Sequence, residues 1–223
     1  MDKLVINKVF KQQDTALDID PNKKTLESYN KFAEEYIRKT APSVETSPPE
    51  MREWIDKALS MLQPGDTVFE IGTATPRDAG YMRSKGYRVI CSDAAISFVR
   101  IMNSKGEQAT QFNVLEDQLV NKYPMIFANG VFPHFTAEET RMALHNIHTS
   151  LAPGGIFAFS IKQGDGEEWI REKLDDIRFA HYWTFTDIVD TLEKERFTVE
   201  FTSFNTGAYP SHRWLNFICR KES

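Results

Sequence analysis

Two residues of this chain carry the first chemical signal: Gly72, in the stretch TVFEIGTATPRDAG (67–80), and Asp93, in RVICSD (88–93). A short apolar run, Val68-Phe69-Glu70-Ile71, leads straight into Gly72, and helix-forming residues follow. A buried strand that ends on a glycine before a helix is the start of a nucleotide-binding turn, because the glycine lets a ligand approach the backbone and the helix start offers free N–H groups. Asp93 closes the next apolar run about 20 residues later, where a carboxylate can accept hydrogen bonds from both hydroxyls of a ribose. The same aspartate could simply cap the helix beginning near Ala94. Taken alone the two readings are even, and the strand–glycine–helix unit ahead of Asp93 tips the balance to ribose.

The loop departs from the glycine-rich pattern. After Gly72 come Thr73, Ala74, Thr75 and Pro76. Alanine adds a methyl group and disfavours positive φ, while proline fixes φ and removes an N–H. Proline is nevertheless well suited to a helix start, so Pro76 fits as the first residue of the helix that continues at Arg77. Ala74 is expected to be tolerated where the loop needs close approach without an unusual φ. A loop that has lost its cofactor is the alternative.

Other residues could do chemistry and each has a plainer explanation. His134, after Phe132-Pro133, could be a general base for an acceptor hydroxyl or amine, or a turn histidine that packs or caps the next helix. His145 and His148, three apart on one helix, lack an evident third ligand, so no metal is expected. His181-Tyr182-Trp183 and Tyr209-Pro210-Ser211-His212 could line an acceptor pocket, although packing is the commoner fate of such aromatics. Lys162 could face an acidic acceptor or water. GDGEEW (164–169) reads as an acidic loop leading into a helix. Cys91 and Cys219 lie in apolar runs and are expected to be buried, reduced thiols.

The elements that must position these groups follow from periodicity. TLESYNKFAEEYIRKT (25–40) reads as a helix with Thr25 and Ser28 at its N-terminal cap and Leu26, Tyr29, Phe32, Ala33, Tyr36 and Ile37 at 3/4 spacing. Pro48 and Pro49 open a second helix with Met51, Trp54, Ile55, Ala58, Leu59 and Leu62 on one stripe. KLVINKVF (3–10) is a short strand or a helical turn. From residue 67 strands and helices alternate as far as TFTDIVDTLEKER (184–196), and FTVEFTSFNT with HRWLNFICRK then forms a hairpin. This order gives an α/β fold: a doubly wound, mostly parallel sheet with helices on both faces and an antiparallel strand near the C-terminal edge. Ligands of such sheets bind at the carboxyl ends of the strands near the switch point, here Glu70–Arg77, Asp93–Ala95, Asn113–Leu115 and Asn129–Phe132.

With these motifs in order, the chain resembles the class I S-adenosylmethionine-dependent methyltransferases, in particular small bacterial ones, from about Tyr29 to Lys221. YNKFAEEY is similar to their lid helix and VFEIGTATPRDAGYM to their first motif. RVICSDAAISFV, IFANGVFPHF, SLAPGGIFAFSIKQGDGE and YWTFTDIVDTLEKERF resemble the segments that follow. The resemblance implies a Rossmann-like seven-stranded sheet and divides the chain into an N-terminal arm (1–28), lid helices (29–64) and a core (65–223). It also implies roles. Glu70 would orient the methionine end, and Gly72, Thr73 and Ala74 would form the close-approach loop. Asp93, with Ala94, would hold the ribose. Asn113 and Val114 would bind the adenine, Asn129 and Gly130 would meet the methionine amino group, and Tyr29 and Tyr36 would close the site. His134 would lie beside the sulfonium.

Bulk properties narrow the partners. The chain has 223 residues, 41% hydrophobic and 26% charged, with a net charge of -5, so a packed single-domain core is expected and a broad basic face for nucleic acid is not. Asn129-Gly130-Val131-Phe132 also lacks the Pro-Pro-aromatic pattern of amino-methylating DNA enzymes. No long apolar run resembles a leader or a membrane span, and a cytoplasmic monomer or homodimer is expected. The implied activity is methyl transfer from S-adenosyl-L-methionine, with S-adenosyl-L-homocysteine as product, to an oxygen, nitrogen or carbon of a small molecule. The alternatives are a non-catalytic binding protein on the same fold and, less favoured, a nicotinamide-dependent oxidoreductase.

Overall fold

A computed structural model describes residues 19–205 and 213–222; KLVINKVF and Tyr209-Pro210-Ser211-His212 lie outside them. Among the described residues nine strands form one sheet: β1 (Thr67–Ile71), β2 (Arg88–Asp93), β3 (Ala109–Gln111), β4 (Tyr123–Ala128), β5 (Leu151–Gln163), β6 (Gly166–Ile170), β7 (Arg178–Trp183), β8 (Phe197–Asn205) and β9 (Trp214–Lys221). The order β3-β2-β1-β4-β5 is parallel throughout. The chain therefore reverses direction across the sheet between β1 and β4, which makes their carboxyl ends the switch point. β9 runs antiparallel between β5 and β8, from Ile156↔Arg220 to Lys162↔Trp214 on the β5 side.

The seven anticipated strands are joined by one hairpin that the sequence pattern concealed. GDGEEW does not lead into a helix: after a bend at Gly164-Asp165 its last four residues begin strand β6, which pairs antiparallel with β7. β7 in turn pairs with the last two residues of β5, Lys162↔Tyr182 and Gln163↔Trp183. The hairpin thus extends the sheet beyond the carboxyl end of β5, where ligands bind. The Pro-Gly-Gly segment is a bulge: Tyr123 pairs with Leu151 and Met125 with Ile156, so four β5 residues are accommodated opposite one of β4.

Alternation along the buried strands divides the core in two. Met125 and Phe127 face Trp54, Ile55, Ala58 and Leu59 of α3 (Pro49–Leu59) and Met82 of α4 (Arg77–Ser84). Ile126 and Ala128 face α6 (Ala137–Ser150) and α7 (Phe185–Lys194) on the other side. Each fully buried large side chain contributes about 1.5–3 kcal/mol. A third cluster joins Phe98 and Met102 of α5 (Ile96–Ser104) to Leu26 and Tyr29 of α1 (Pro21–Lys31) and to Ala33, Tyr36 and Ile37 of α2 (Ala33–Arg38).

The lid begins earlier than its sequence indicated. Asp20, not Thr25, caps α1, accepting from the Lys23 N–H, with Pro21 in the first turn. Thr25 and Ser28 are buried within the helix and face β7: the Phe179 N–H donates to Thr25 Oγ1 (3.0 Å) and Ser28 Oγ donates to the Ile177 carbonyl (2.6 Å). The boundary drawn between 28 and 29 therefore falls inside a helix. Phe32, at φ -115°, separates α1 from α2.

Candidate active site

The carboxyl ends of β1, β2 and β4, with the segment after β3, meet α1 and α2 around one cleft. Gly72, Ala74, Asp93, Ala94, Asn113, Val114, Asn129, Gly130 and His134 line it, with Tyr29 and Tyr36 from the lid. Glu70 and Thr73 do not. They lie beneath the loop, with Thr73 Oγ1 donating to Glu70 Oε2 (2.9 Å) and the Ser92 N–H donating to Thr73 Oγ1 (3.2 Å). Burial, followed by the nearby Asp78 carboxylate, holds the Glu70 carboxyl well above the usual range. Its visible work is to pin the loop to the sheet.

Gly72 has φ +71°, and a Cβ added there would lie 2.4 Å from Val131 Cγ2. The glycine is thus required by the packing of two adjacent strand-end turns as well as by any ligand. Ala74 corrects the expectation of an ordinary φ: it sits at φ +48°, the left-handed region that alanine occupies at a cost. Thr75 N–H donates to the Thr73 carbonyl across it, and the Ala74 N–H donates to Asp93 Oδ2 (2.9 Å). Pro76 sits at the N-cap, one residue before α4, with its carbonyl accepting from the Gly80 N–H. The loop keeps a glycine-type bend without the second glycine because Asp93 and Thr75 hold it.

Asp93 caps the following helix and also stands at the cleft wall. Its other oxygen accepts from the Ala95 N–H (2.8 Å) at the start of α5, yet the carboxylate still lines the cleft. Burial pushes its pKa up to about 6, offset in part by the two backbone N–H groups. Beside it Leu26, Phe98, Phe112 and Val114 form an apolar slot. Asn113 borders this slot, fixed by the Leu115 N–H on its Oδ1 and by Asn22 of α1 on its Nδ2. A buried carboxylate next to an apolar slot with an amide edge is the donor and acceptor set that an adenosine needs, so the residues present fit an adenosyl cofactor.

On the other side of the cleft a polar chain fixes the turn after β4. Arg77 pairs with Asp78 (2.7 Å), Asn129 Nδ2 donates to Asp78 (2.8 Å), and Ser160 Oγ donates to Asn129 Oδ1 (2.8 Å). The Gly130 N–H donates back to Ser160 Oγ (2.8 Å). Sequence reasoning missed Asp78 and Ser160: each lies in an unremarkable stretch, and only the fold aims them at Asn129.

His134 Nδ1 is 2.7 Å from the Phe179 carbonyl and Nε2 is 2.7 Å from Tyr29 Oη. A carbonyl can only accept, which assigns the proton to Nδ1, so Nε2 accepts from the Tyr29 hydroxyl. Arg178 Nη1 donates to the same hydroxyl oxygen (3.1 Å). Burial, then the Arg178 charge, holds His134 down to about 3, so it is neutral. It does not cap the following helix, which Thr136 caps together with Glu139.

Tyr29, Tyr36, Asn129, Gly130 and His134 also line a second chamber, with Lys162, Lys173, Arg178 and Trp214 among its walls. Lys162 is buried, not solvated, and paired with Glu172 (3.0 Å). His181 and Trp183 stack on each other with ring centroids 4.4 Å apart, and Tyr182 donates to Glu168; none of the three lines either chamber. Cys91 and Cys219 are free and buried, and burial raises both thiols. The His148 ring lies edge-on to Phe197.

A doubly wound sheet with a carboxylate-floored cleft at its switch point and a helical lid defines a Rossmann-like cofactor-binding protein. A methyltransferase-domain family profile matches residues 44–200. The chain belongs to that family, and the class I methyltransferase resemblance seen in its sequence is thereby shown. No curated protein sequence matches it.

Solved structures agree on the fold. The chain is similar to 1,6-didemethyltoxoflavin-N1-methyltransferase of Burkholderia thailandensis, solved with 1,6-didemethyltoxoflavin and S-adenosylhomocysteine (TM-score 0.70, 20% identity, 93% of each chain covered). It is similar to the magnesium protoporphyrin IX methyltransferase of Synechocystis, solved with S-adenosylmethionine (TM-score 0.67, 14% identity, 93% of this chain and 100% of that one). It also resembles the N-methyltransferase NodS of Bradyrhizobium japonicum, solved with S-adenosylhomocysteine (TM-score 0.63, 16% identity, 92% and 100%). No described helix is long and apolar enough to cross a membrane.

Proposed function

We propose that this chain transfers a methyl group from S-adenosyl-L-methionine to a small-molecule acceptor. The observation that carries the reading is the shared wall: the adenosine-shaped cleft and the second chamber meet at Tyr29, Tyr36, Asn129, Gly130 and His134. Two ligands seated in the two chambers would meet there.

Asp93 would accept the ribose hydroxyls, Asn113 and Val114 would meet the adenine, and Gly72, Ala74, Asn129 and Gly130 would flank the methionine portion. Tyr29 and Tyr36, packed edge-on with centroids 5.3 Å apart and both against Phe98, would exclude water from above. Bound there, S-adenosylmethionine supplies an electrophilic methyl group on a sulfonium. Positioning and desolvation by the lid then do most of the chain's catalytic work.

His134 does not present a free nitrogen to an acceptor, because Tyr29 occupies Nε2. Tyr29 is the better contact. Its oxygen can take the acceptor's proton while its own proton passes to His134 Nε2. A base as weak as this histidine does not deprotonate an alcohol in advance; it takes the proton as the bond to carbon forms and the acceptor heteroatom becomes strongly acidic. The small size of the acceptor is supported by the small molecules named for the relatives.

Calorimetric titration of S-adenosylmethionine and S-adenosylhomocysteine into the wild type and Asp93→Ala tests the reading. Micromolar binding to the wild type, weakened by more than about tenfold in the variant, is expected from the loss of charge-assisted hydrogen bonds to the ribose. Absence of binding at millimolar ligand would favour the binding-protein alternative.

A further inference from the structure

The second chamber is rich in positive charge although the chain as a whole carries -5. Its cations are Lys39, Arg77, Lys162, Lys173 and Arg178. Three are neutralised locally: Lys39 by Glu35 (2.5 Å), Arg77 by Asp78 (2.7 Å) and Lys162 by Glu172 (3.0 Å). Lys173 and Arg178 have no carboxylate partner among the described residues. Lys173 Nζ donates to the neutral Thr40 Oγ1 (2.7 Å) and lies 3.9 Å from the centre of the Tyr36 ring. Arg178 donates to the Tyr29 hydroxyl and to the Glu172 carbonyl, and its guanidinium carbon lies 5.3 Å from the centre of the Tyr29 ring.

Arg178 is only 4% exposed, and its Nε is buried without a hydrogen-bond partner. Buried charges are ordinarily paired, and a buried unpaired donor is costly. Lys173 is held at φ +68°, a conformation a lysine does not adopt for its own sake. Burial, then the Arg77 and Arg178 charges, holds its ammonium down to about 8, so the cations sense one another across the chamber. Apolar surface completes the chamber: Met51, Ile170 and Trp214, whose ring comes within 3.6 Å of a Cβ built on Gly130 at the shared wall.

We infer that the methyl acceptor is an oxyanion-bearing organic molecule, a carboxylate or phosphate on a small apolar body, whose anionic group is held between Arg178 and Lys173. This rests on the methyltransferase reading and names its acceptor class. The guanidinium fork and the ammonium supply charge-assisted donors to the oxyanion, and Trp214 and Met51 contact the body. The nucleophilic atom is thereby directed to the shared wall and Tyr29. The same two cations could instead receive the carboxylate of the cofactor's methionine portion. Against that, both line only the second chamber, while the loop residues Gly72 and Ala74 line only the first.

The test is calorimetric titration of benzoate, phenyl phosphate and neutral benzamide into the full chain, with and without saturating S-adenosylhomocysteine. At least one of the two anions should bind about tenfold or more tightly than benzamide, and the tighter of the two identifies carboxylate or phosphate as the group recognised. Lys173→Met, which removes only a contact to Thr40 and one tyrosine face, should erase the preference, as should Arg178→Gln. S-adenosylhomocysteine affinity should stay within about threefold in Lys173→Met, since no cofactor contact is assigned to it. Equal binding of all three probes, or binding of none, overturns the inference. So does a variant that weakens S-adenosylhomocysteine but not 5′-methylthioadenosine, which lacks the amino-acid tail, because the cations would then serve the cofactor. If S-adenosylhomocysteine fails to bind at all, the methyltransferase reading has failed, while the anion preference is still read in the unliganded chain.

Discussion

The hydroxyl of Tyr29 lies 2.7 Å from Nε2 of His134, and this contact joins the lid helix to the turn after β4 at the wall common to both chambers. Arg178 touches the same hydroxyl from β7. Tyr29→Phe keeps the ring packing and removes the relay, leaving His134 Nε2 buried and unpaired. Stability should fall by about 1–3 kcal/mol, the cost of stranding a buried polar atom. Turnover should fall about 10²-fold or more, the usual contribution of a positioned proton carrier, while S-adenosylhomocysteine affinity changes little. Steady-state kinetics beside a denaturation curve would check both, and unchanged turnover would remove Tyr29 from the chemistry.

With the ribose on Asp93 as proposed, the cofactor site has a pH dependence of definite sign. The folded pKa of Asp93 is raised to about 6 by burial, and two ribose hydroxyls can both donate only to the ionised carboxylate. Binding therefore favours the ionised form: affinity is full above about pH 7 and declines as pH falls through about 6. Through the same group folding stability runs the other way, declining as pH rises from the ordinary carboxylate range to 6, because the folded state binds the proton more tightly. Calorimetry from pH 5 to pH 8 should show this slope in the wild type and lose it in Asp93→Asn. A slope that persists in the variant would assign it to another group.

The Ala74 backbone is a stored cost. At φ +48° an alanine pays about 1–2 kcal/mol that a glycine does not. Ala74→Gly should therefore stabilise the chain by about 1 kcal/mol, less the extra freedom glycine has when unfolded, or about 2–4 °C in Tm for a chain of this size. Cofactor affinity should be retained or improved. Gly72→Ala should do the reverse, because its new methyl would meet Val131 Cγ2 at 2.4 Å and φ is +71°. Val131→Ala should recover part of that loss by removing the clash, but not all of it, since the backbone strain persists. Melting curves for Ala74→Gly, Gly72→Ala and the Gly72→Ala/Val131→Ala double variant beside the wild type would check these signs.

How much of this was legible beforehand depended on how local the signal was. The strand–Gly72–helix unit, Asp93 and the strand ends at Asn113 and Asn129 were readable because alternation and turn chemistry act over a few residues. The left-handed Ala74 was not, since its conformation is imposed by Thr75 and by Asp93 on the neighbouring strand. Strand β6 was hidden by its charges: Glu167 and Glu168 occupy an exposed edge strand, where acidic residues are tolerated and even protective. With it went Lys173 and Arg178, which reach the second chamber only because the hairpin folds back beyond β5. Thr25 and Ser28 carried the residue types of an N-terminal cap, yet tertiary contact with β7 claimed both hydroxyls.

Those two hydroxyls make the last prediction. Thr25 and Ser28 are 2% and 0% exposed and hold α1 to the backbone at the start of β7, Thr25 at Phe179 and Ser28 at Ile177 just before the strand. Thr25→Val keeps the shape and leaves the Phe179 N–H buried without an acceptor, which costs about 1–3 kcal/mol. Ser28→Ala does the same to the Ile177 carbonyl. Lys24, on the same helix, pairs with Asp176 at 3.0 Å nearer the surface, and Lys24→Ala should cost only about 0–1 kcal/mol. Because α1 carries Tyr29 and Leu26 of the apolar slot, loosening it should lower the population of the closed cleft and cofactor affinity with it. Amide hydrogen exchange should quicken across Pro21–Lys31 in Thr25→Val and Ser28→Ala and stay near the wild-type rate in Lys24→Ala. Equal protection in all three would mean that the apolar contacts to Phe98 hold the lid, and that the hydroxyls only set its register.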